Sequence, residues 1–304
     1  MKCDILIGYS LQFFSCFSAA IAAKLNKIPF VCRIVGASAT TNKGGIELFS
    51  KIYDKSLAKI TLKLADIILV QTKSMIKRPL YLGASLSKII VVEDGIDFTR
   101  FSGNINVKDI RKELNIDDSK IVISFISRLF ELKGIEDLLD TAKEIIQEDE
   151  SVIFLIAGMG SLERKVKREA SLEKNLIYLG YRNDVPNLLA ISDIYVLPSY
   201  SEGLSPAILE AMGSGLPVVT TNVGSNPDIS INGKENYLFE PGDKLSLKKI
   251  MIRLIHDKSL REEMGKYNKK KIQQNFDLKD TTIKFLNIIK NLKNCHKAKN
   301  SINT

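Results

Sequence analysis

The chain of 304 residues is long enough for two domains, and with 45% apolar and 26% charged residues it is neither disordered nor low-complexity. Cys3, Cys16, Cys32 and Cys295 lack C-x-x-C spacing and are too sparse for a disulfide framework, so they read as reduced thiols of a cytoplasmic protein; with only His256 and His296 present, a His-based metal site or a Ser-His-Asp triad is improbable. The formal charge of +9 is uneven: residues 1–101 carry 14 Lys and Arg against seven Asp and Glu, residues 102–255 carry 18 against 23, and residues 256–304 carry 12 against five.

The first apolar segment, "ILIGYSLQFFSCFSAAIAA" from Ile5 to Ala23, resembles a secretory signal or a short membrane span in having no charge. Asp4 stands where a basic leader is needed, and Gly8, Tyr9, Ser10, Gln12, Ser15 and Ser18 dilute the run. A buried strand "DILIGYS" followed by a helix "FFSCFSAAIAAKLNK" is the better reading. Strands "PFVCRIVG", "DIILVQT" and "KIIVVED" follow, with helices between them. The Gly-containing polar stretch from Asp94 to Asp109 reads as a linker. The second series is "IVISFIS", "VIFLIAG", "LIYLGY", "DIYVLPS", "LPVVTTN" and "NYLFEP". Near-continuous apolar strands separated by helix-length connections predict parallel sheets covered on both faces, and crossover handedness makes them doubly wound. After Glu240 the pattern turns helical, and "NCHKAKNSINT" reads as a frayed tail. The predicted fold is α/β with two Rossmann-like domains: residues 1–103, residues 104–275, and a helix with tail over 276–304 that returns to the first domain.

In such sheets ligands sit beyond the carboxyl ends of the strands. "DIYVLPSYSEGLSPAILEAMGSG" reads there as strand, loop and helix, with Ser205 as N-cap, Pro206 at the first helical position, and Gly213, Gly215 and Pro217 ending the helix. The amides of Gly203, Leu204 and Ser205 then face outward at the positive end of a helix dipole, an arrangement suited to phosphate. Glu202 stands just before that site and Glu210 one turn inside the helix. A carboxylate there repels phosphate but suits the hydroxyls of a ribose or a sugar. Arg128 and Lys133, after another buried strand, can converge on a diphosphate, although two surface cations of an ordinary loop fit the same spacing.

Taken in order, these segments resemble glycosyltransferase family 4, the retaining nucleotide-sugar enzymes of GT-B fold. "ISRLFELKG" is similar to the family's G-R-L-x-x-x-K-G segment with Ser127 for Gly, "IAGMGSLERKV" to its G-x-G-x-L stretch, and "SEGLSPAILEAMGSGLPVV" to its E-x7-E block. The resemblance implies that Arg128 and Lys133 hold the donor diphosphate, that Glu210 binds ribose and that Glu202 faces the transferred sugar. It also implies that Gly203, Leu204 and Ser205 contact sugar and phosphate, and that Tyr181 and Arg182 border the base. Gly158 and Gly160 would let backbone approach the ligand, or form a plain strand-to-helix turn. No metal and no cofactor beyond the nucleotide-sugar substrate is implied.

Two departures stand out. The family carries further βα units and a Gly-rich loop before the point where "MKCDILIGYS" aligns, and Gly44-Gly45 falls too late to be that loop, so the N-terminal domain reads as incomplete. Where the family often has a donor-contacting His, this chain has Val35. The expected function is transfer of a sugar to a glycan or lipid-linked acceptor in cell-envelope polysaccharide synthesis, or donor binding by a fragment or partner subunit. The basic ends suggest peripheral contact with an anionic membrane at its inner face. Nucleic acid is not expected, because aromatics are not interleaved with the Lys runs and no recognition motif occurs.

Overall fold

The computed structural model describes residues 3–36, 54–101, 103, 105–229 and 238–302; Gly44-Gly45 and the start of "NYLFEP" lie outside them. The chain forms two compact units, one of residues 1–95 with 278–304 and one of residues 96–277.

The first unit holds a parallel sheet in the order β1 (Leu6–Tyr9), β2 (Phe30–Ile34), β3 (Ile67–Val70) and β4 (Ile89–Val91). Every residue of β2 is buried, as expected of a strand covered on both faces. Helix α1 (Phe14–Leu25) packs Cys16, Ala20 and Ala23 against one face, together with Leu62 of α2 (Lys59–Leu64). A side chain at Gly8 would collide with Cys16 and Phe30, so glycine sets how closely α1 approaches. The segment from Ile5 to Ala23 is therefore strand, turn and helix. Among the described residues, no helix is long and apolar enough to cross a membrane.

The other face is covered by the last helix, α12 (Leu278–Ile302), whose Phe285, Ile288, Ile289 and Leu292 pack on Val31, Leu69 and Val92. Contrary to the expected frayed tail, this helix runs on to Ile302. Lys293 pairs with Asp4 at 2.7 Å, and His296 Nε2 lies 2.9 Å from the Lys27 carbonyl oxygen, so its end is fastened to the same unit.

The second unit contains a six-stranded parallel sheet in the order β10 (Leu238–Phe239), β9 (Val218–Thr221), β8 (Ile194–Leu197), β5 (Ile121–Ile126), β6 (Val152–Ala157) and β7 (Leu176–Tyr178). The chain winds from β5 outward through β6 to β7, then returns to lay β8 on the opposite side of β5. The carboxyl ends of β5 and β8 thus flank the point where winding reverses, and crevices form there in doubly wound sheets. The main core lies under α5 (Ile135–Glu148), α8 (Pro206–Gly213), α10 (Lys244–His256) and α11 (Lys258–Asn275). The opposite face packs Val122, Ile153 and Leu155 against Leu188 of α7 (Val185–Ala190) and Ile110 of α4 (Val107–Glu113).

The units divide at Gly95/Ile96 and Asp277/Leu278, where the sequence reading placed 103/104 and 275/276. Local packing accounts for the difference. Ile96 belongs to the second core, its N–H donates to the Phe276 carbonyl at 2.8 Å, and Phe98 and Phe101 pack on the same core.

Candidate functional site

The loop after β5 runs from Ser127 to Gly134. Arg128 is exposed, its guanidinium lies 5.6 Å from the Phe130 ring centroid, and it makes no ion pair among the described residues. Gly134 adopts a left-handed conformation (φ 67°), and a Cβ there would overlap the Pro198 carbonyl, so glycine lets α5 start against the loop after β8. The Tyr200 N–H donates to the Leu132 carbonyl at 2.9 Å, which joins the two loops directly.

That junction places Lys133 on Glu202, Nζ to Oε1 2.6 Å. Both side chains are largely buried, 15% and 5% exposed. Ser199, fully buried, donates its hydroxyl to the same Oε1 at 2.7 Å. The two residues assigned separately to diphosphate and sugar are thus held together, and the Lys133 ammonium still has N–H donors to spare. A Cβ at Gly224 (φ 54°) would overlap the Glu202 carbonyl, so the loop after β9 presses the Glu202 backbone from behind.

The amides of Gly203, Leu204 and Ser205 donate to no acceptor among the described residues. They precede α8, with Pro206 at its first position. Ser205 has the extended backbone of an N-cap (φ −82°, ψ 113°), but its hydroxyl caps no amide. The expected side-chain cap is absent, which leaves the first amides of the helix with their full donor capacity.

Glu210, on α8, is mostly buried and receives Arg100 Nη1 at 3.2 Å. Burial raises its carboxyl above the usual range, and Arg100 opposes that shift. Beneath both glutamates Tyr195 is fully buried, with its hydroxyl donating to the Ile126 carbonyl at 3.0 Å. Its phenol is pushed well up, first by burial and then by the charges of Glu202 and Glu210.

Gly158 (φ 142°) and Gly160 lie in close approach to the loop after β5. A Cβ at either would overlap a carbonyl of the β5 loop, that of Ser127 or of Leu129. The Leu129 N–H donates to the Met159 carbonyl at 2.9 Å, so these glycines fasten the loop carrying Arg128. Tyr181 is 67% exposed. Arg182 is not free: its Nε and Nη2 each donate to Asp184 at 2.7 Å in a two-pronged pair, with Glu113 at 3.7 Å. That pairing raises the guanidinium and lowers the Asp184 carboxyl.

Arg100 and Ser199 were not predicted. Arg100 lies 110 positions from Glu210, in a stretch read only as a linker. Ser199 stands three residues before Glu202, and that proximity was the one signal available for it.

Two parallel sheets, the first wound in one direction and the second reversing at β5 and β8, with cations, carboxylates, and amides that are unpaired among the described residues at that reversal point, define a GT-B type protein. Residues 106–271 match the family model described as Glycosyl transferases group 1, and the chain belongs to that family. It is 32% identical over 267 residues to the UDP-Gal:alpha-D-GlcNAc-diphosphoundecaprenol alpha-1,3-galactosyltransferase of Escherichia coli, covering 85% of this chain and 68% of that protein. It is 27% identical over 225 residues to the N-acetyl-alpha-D-glucosaminyl L-malate synthase of Bacillus anthracis, covering 73% and 58%. Anabaena HepE, solved in complex with UDP, superposes with a TM-score of 0.80 at 20% identity, over 94% of this chain and 78% of that one.

Proposed function

We propose that this chain is a retaining glycosyltransferase of family 4, moving a sugar from a UDP-sugar to a glycan or lipid-linked acceptor in cell-envelope polysaccharide synthesis. The observation that carries this reading is the buried Lys133–Glu202 pair, which joins the loop carrying Arg128 to the loop and helix carrying Gly203 to Ser205 and Glu210 where β5 and β8 lie side by side. The Escherichia coli relative uses UDP-Gal and a diphosphoundecaprenol-linked acceptor by its name, which supports a uridine nucleotide and a lipid-linked acceptor here.

In this reading Arg128 and Lys133 hold the donor diphosphate and offset charge as the sugar C1–O bond to phosphate breaks. The amides of Gly203 to Ser205 contact the same phosphate and the sugar, and Glu210 accepts from the ribose hydroxyls. The acceptor oxygen bonds to C1 on the face that the leaving group vacates, and its proton passes to the departing phosphate oxygen. Glu202 is buried and committed to Lys133 and Ser199, so it serves as a hydroxyl acceptor rather than a nucleophile. Two cationic side chains on the diphosphate would take the place of a divalent metal, and donor affinity is expected to be unchanged by EDTA.

Residues 1–95 with 278–304 carry 19 Lys and Arg against seven Asp and Glu, whereas residues 96–277 carry 25 against 28. We place the first unit on an anionic membrane surface that presents the acceptor, each cation contributing ~1 kcal/mol. Flotation that does not depend on anionic lipid refutes that placement.

The test of the main reading is thermal denaturation with a panel of UDP-, GDP- and ADP-sugars. A donor at ~100 times its dissociation constant stabilises by about 2.7 kcal/mol. A shift selective for UDP-sugars and lost in Glu210→Ala is expected. A cooperatively melting chain that responds to no donor refutes the reading.

A further inference from the structure

The Glu202 carboxylate is bound asymmetrically. Lys133 Nζ and Ser199 Oγ both donate to Oε1, at 2.6 and 2.7 Å. Oε2 receives no hydrogen bond from the described residues, although Glu202 as a whole is only 6% exposed. The two donors come from separate loops, and neither can move far. Lys133 sits in the short helical turn closed by Gly134, and Ser199 is fully buried with its own carbonyl accepting from the Thr221 hydroxyl. A carboxylate held by a charge alone can exchange its oxygens, because an ammonium is a point charge without directional preference. A second, directional donor on the same oxygen removes that freedom.

From this geometry we infer that Ser199 is a positioning residue: with Lys133 it fixes Glu202 so that Oε2 alone faces the donor sugar and accepts from one sugar hydroxyl. The inference rests on the proposed nucleotide-sugar reading and deepens it by naming what the site selects. A fixed, ionised oxygen with no donor beside it accepts a hydrogen bond and cannot give one. The site therefore takes a sugar that presents a hydroxyl at that position and rejects one presenting only an acceptor, such as fluorine or a keto oxygen. Ser199 acts through Glu202 and does not touch the sugar.

The experiment measures dissociation constants of UDP-galactose and UDP-glucose, each with its monodeoxy and monofluoro derivatives, for the wild-type chain, Ser199→Ala, Ser199→Thr and Glu202→Gln. One sugar position is expected to stand out, where replacing hydroxyl by fluorine weakens wild-type binding roughly tenfold to a hundredfold. Ser199→Ala loses most of that discrimination while binding UDP itself unchanged, and Ser199→Thr, which keeps a hydroxyl, restores it. In Glu202→Gln the amide oxygen stays on Lys133 and Ser199 and the amide N–H₂ turns to the sugar, where hydroxyl and fluorine can both accept, so most of the preference for hydroxyl over fluorine is lost. That loss of preference keeps the Glu202 contact testable even where Ser199→Ala does not fold.

Discrimination that survives Ser199→Ala in a folded protein, or Glu202→Gln losing affinity equally for hydroxyl and fluoro donors, overturns the inference and leaves the proposed function standing. Absence of binding to UDP and to every UDP-sugar by a folded wild-type chain overturns both.

Discussion

Replacing Lys133 by Met removes one half of a buried ion pair while keeping the length of the side chain. Lys133 and Glu202 are 15% and 5% exposed, so water does not take over when the ammonium is lost. Ser199 remains on Oε1, but a neutral hydroxyl does not compensate a buried charge. Stranding one member of such a pair costs about 3–5 kcal/mol, several times the 0–1 kcal/mol of an exposed pair. The double variant Lys133→Met/Glu202→Gln leaves no charge to strand and recovers at least half of that loss, because a neutral amide is far less expensive to bury. The assay is urea unfolding of the wild type, both single variants and the double, read as a thermodynamic cycle. A Lys133→Met cost below about 1 kcal/mol, or a double variant no more stable than Lys133→Met, would refute the argument that burial makes this pair a strong constraint.

Further outcomes follow from the same structure. Gly158→Ala puts a methyl group into the Ser127 carbonyl at a φ that L residues rarely adopt, so a loss of more than about 2 kcal/mol is expected in thermal unfolding. Burial raises the Glu210 carboxyl, so the folded state holds its proton more tightly than the unfolded chain, and this group's contribution falls as pH rises through that window. Arg100→Gln removes the opposing cation and is expected to destabilise more at pH 7 than at pH 4; the half-exposed guanidinium limits the effect to about 1 kcal/mol. An equal cost at both pH values contradicts this. Tyr200 donates to Asp137 at 2.7 Å and its phenol is pushed up to about 12, so its stabilisation is complete below the ordinary tyrosine range and lost as pH rises through 12. Ultraviolet titration of wild type against Tyr200→Phe is expected to remove one late-titrating phenol.

Strands and helices of the second unit were legible because fully buried parallel strands are continuous apolar runs, and each of β5 to β10 lies within its expected segment. The candidate site was legible where function is carried by a local pattern: Glu202, the free amides and Glu210 share one strand-loop-helix passage. What stayed hidden depends on contacts between distant segments. Nothing in "NDVPNLL" tells that Asp184 takes both prongs of Arg182. Nothing near Gly158 or Gly160 tells that the surface they approach is the chain's own β5 loop. Arg100 sits in a stretch read as a linker because its Gly and polar residues describe local flexibility, whereas Ile96 and Phe98 pack on the second core. The last turns of α12 were read as a tail because their polar composition is that of a solvated end, and the Asp4 and Lys27 contacts that hold them lie at the far end of the sequence.

The reversal of winding between β5 and β8 also bears on how the chain comes to have a site at all. Lys133 and Glu202 are 69 residues apart, and the strands they follow become neighbours only after β6 and β7 have been laid down on the far side of β5. During synthesis a chain extended only through β7 carries Lys133 without the Glu202 carboxylate that pairs with it. Such long-range closure comes late and slows folding. Formation of the Lys133–Glu202 pair therefore reports the docking of β8 beside β5, and a folding intermediate that has not reached that step lacks the pair.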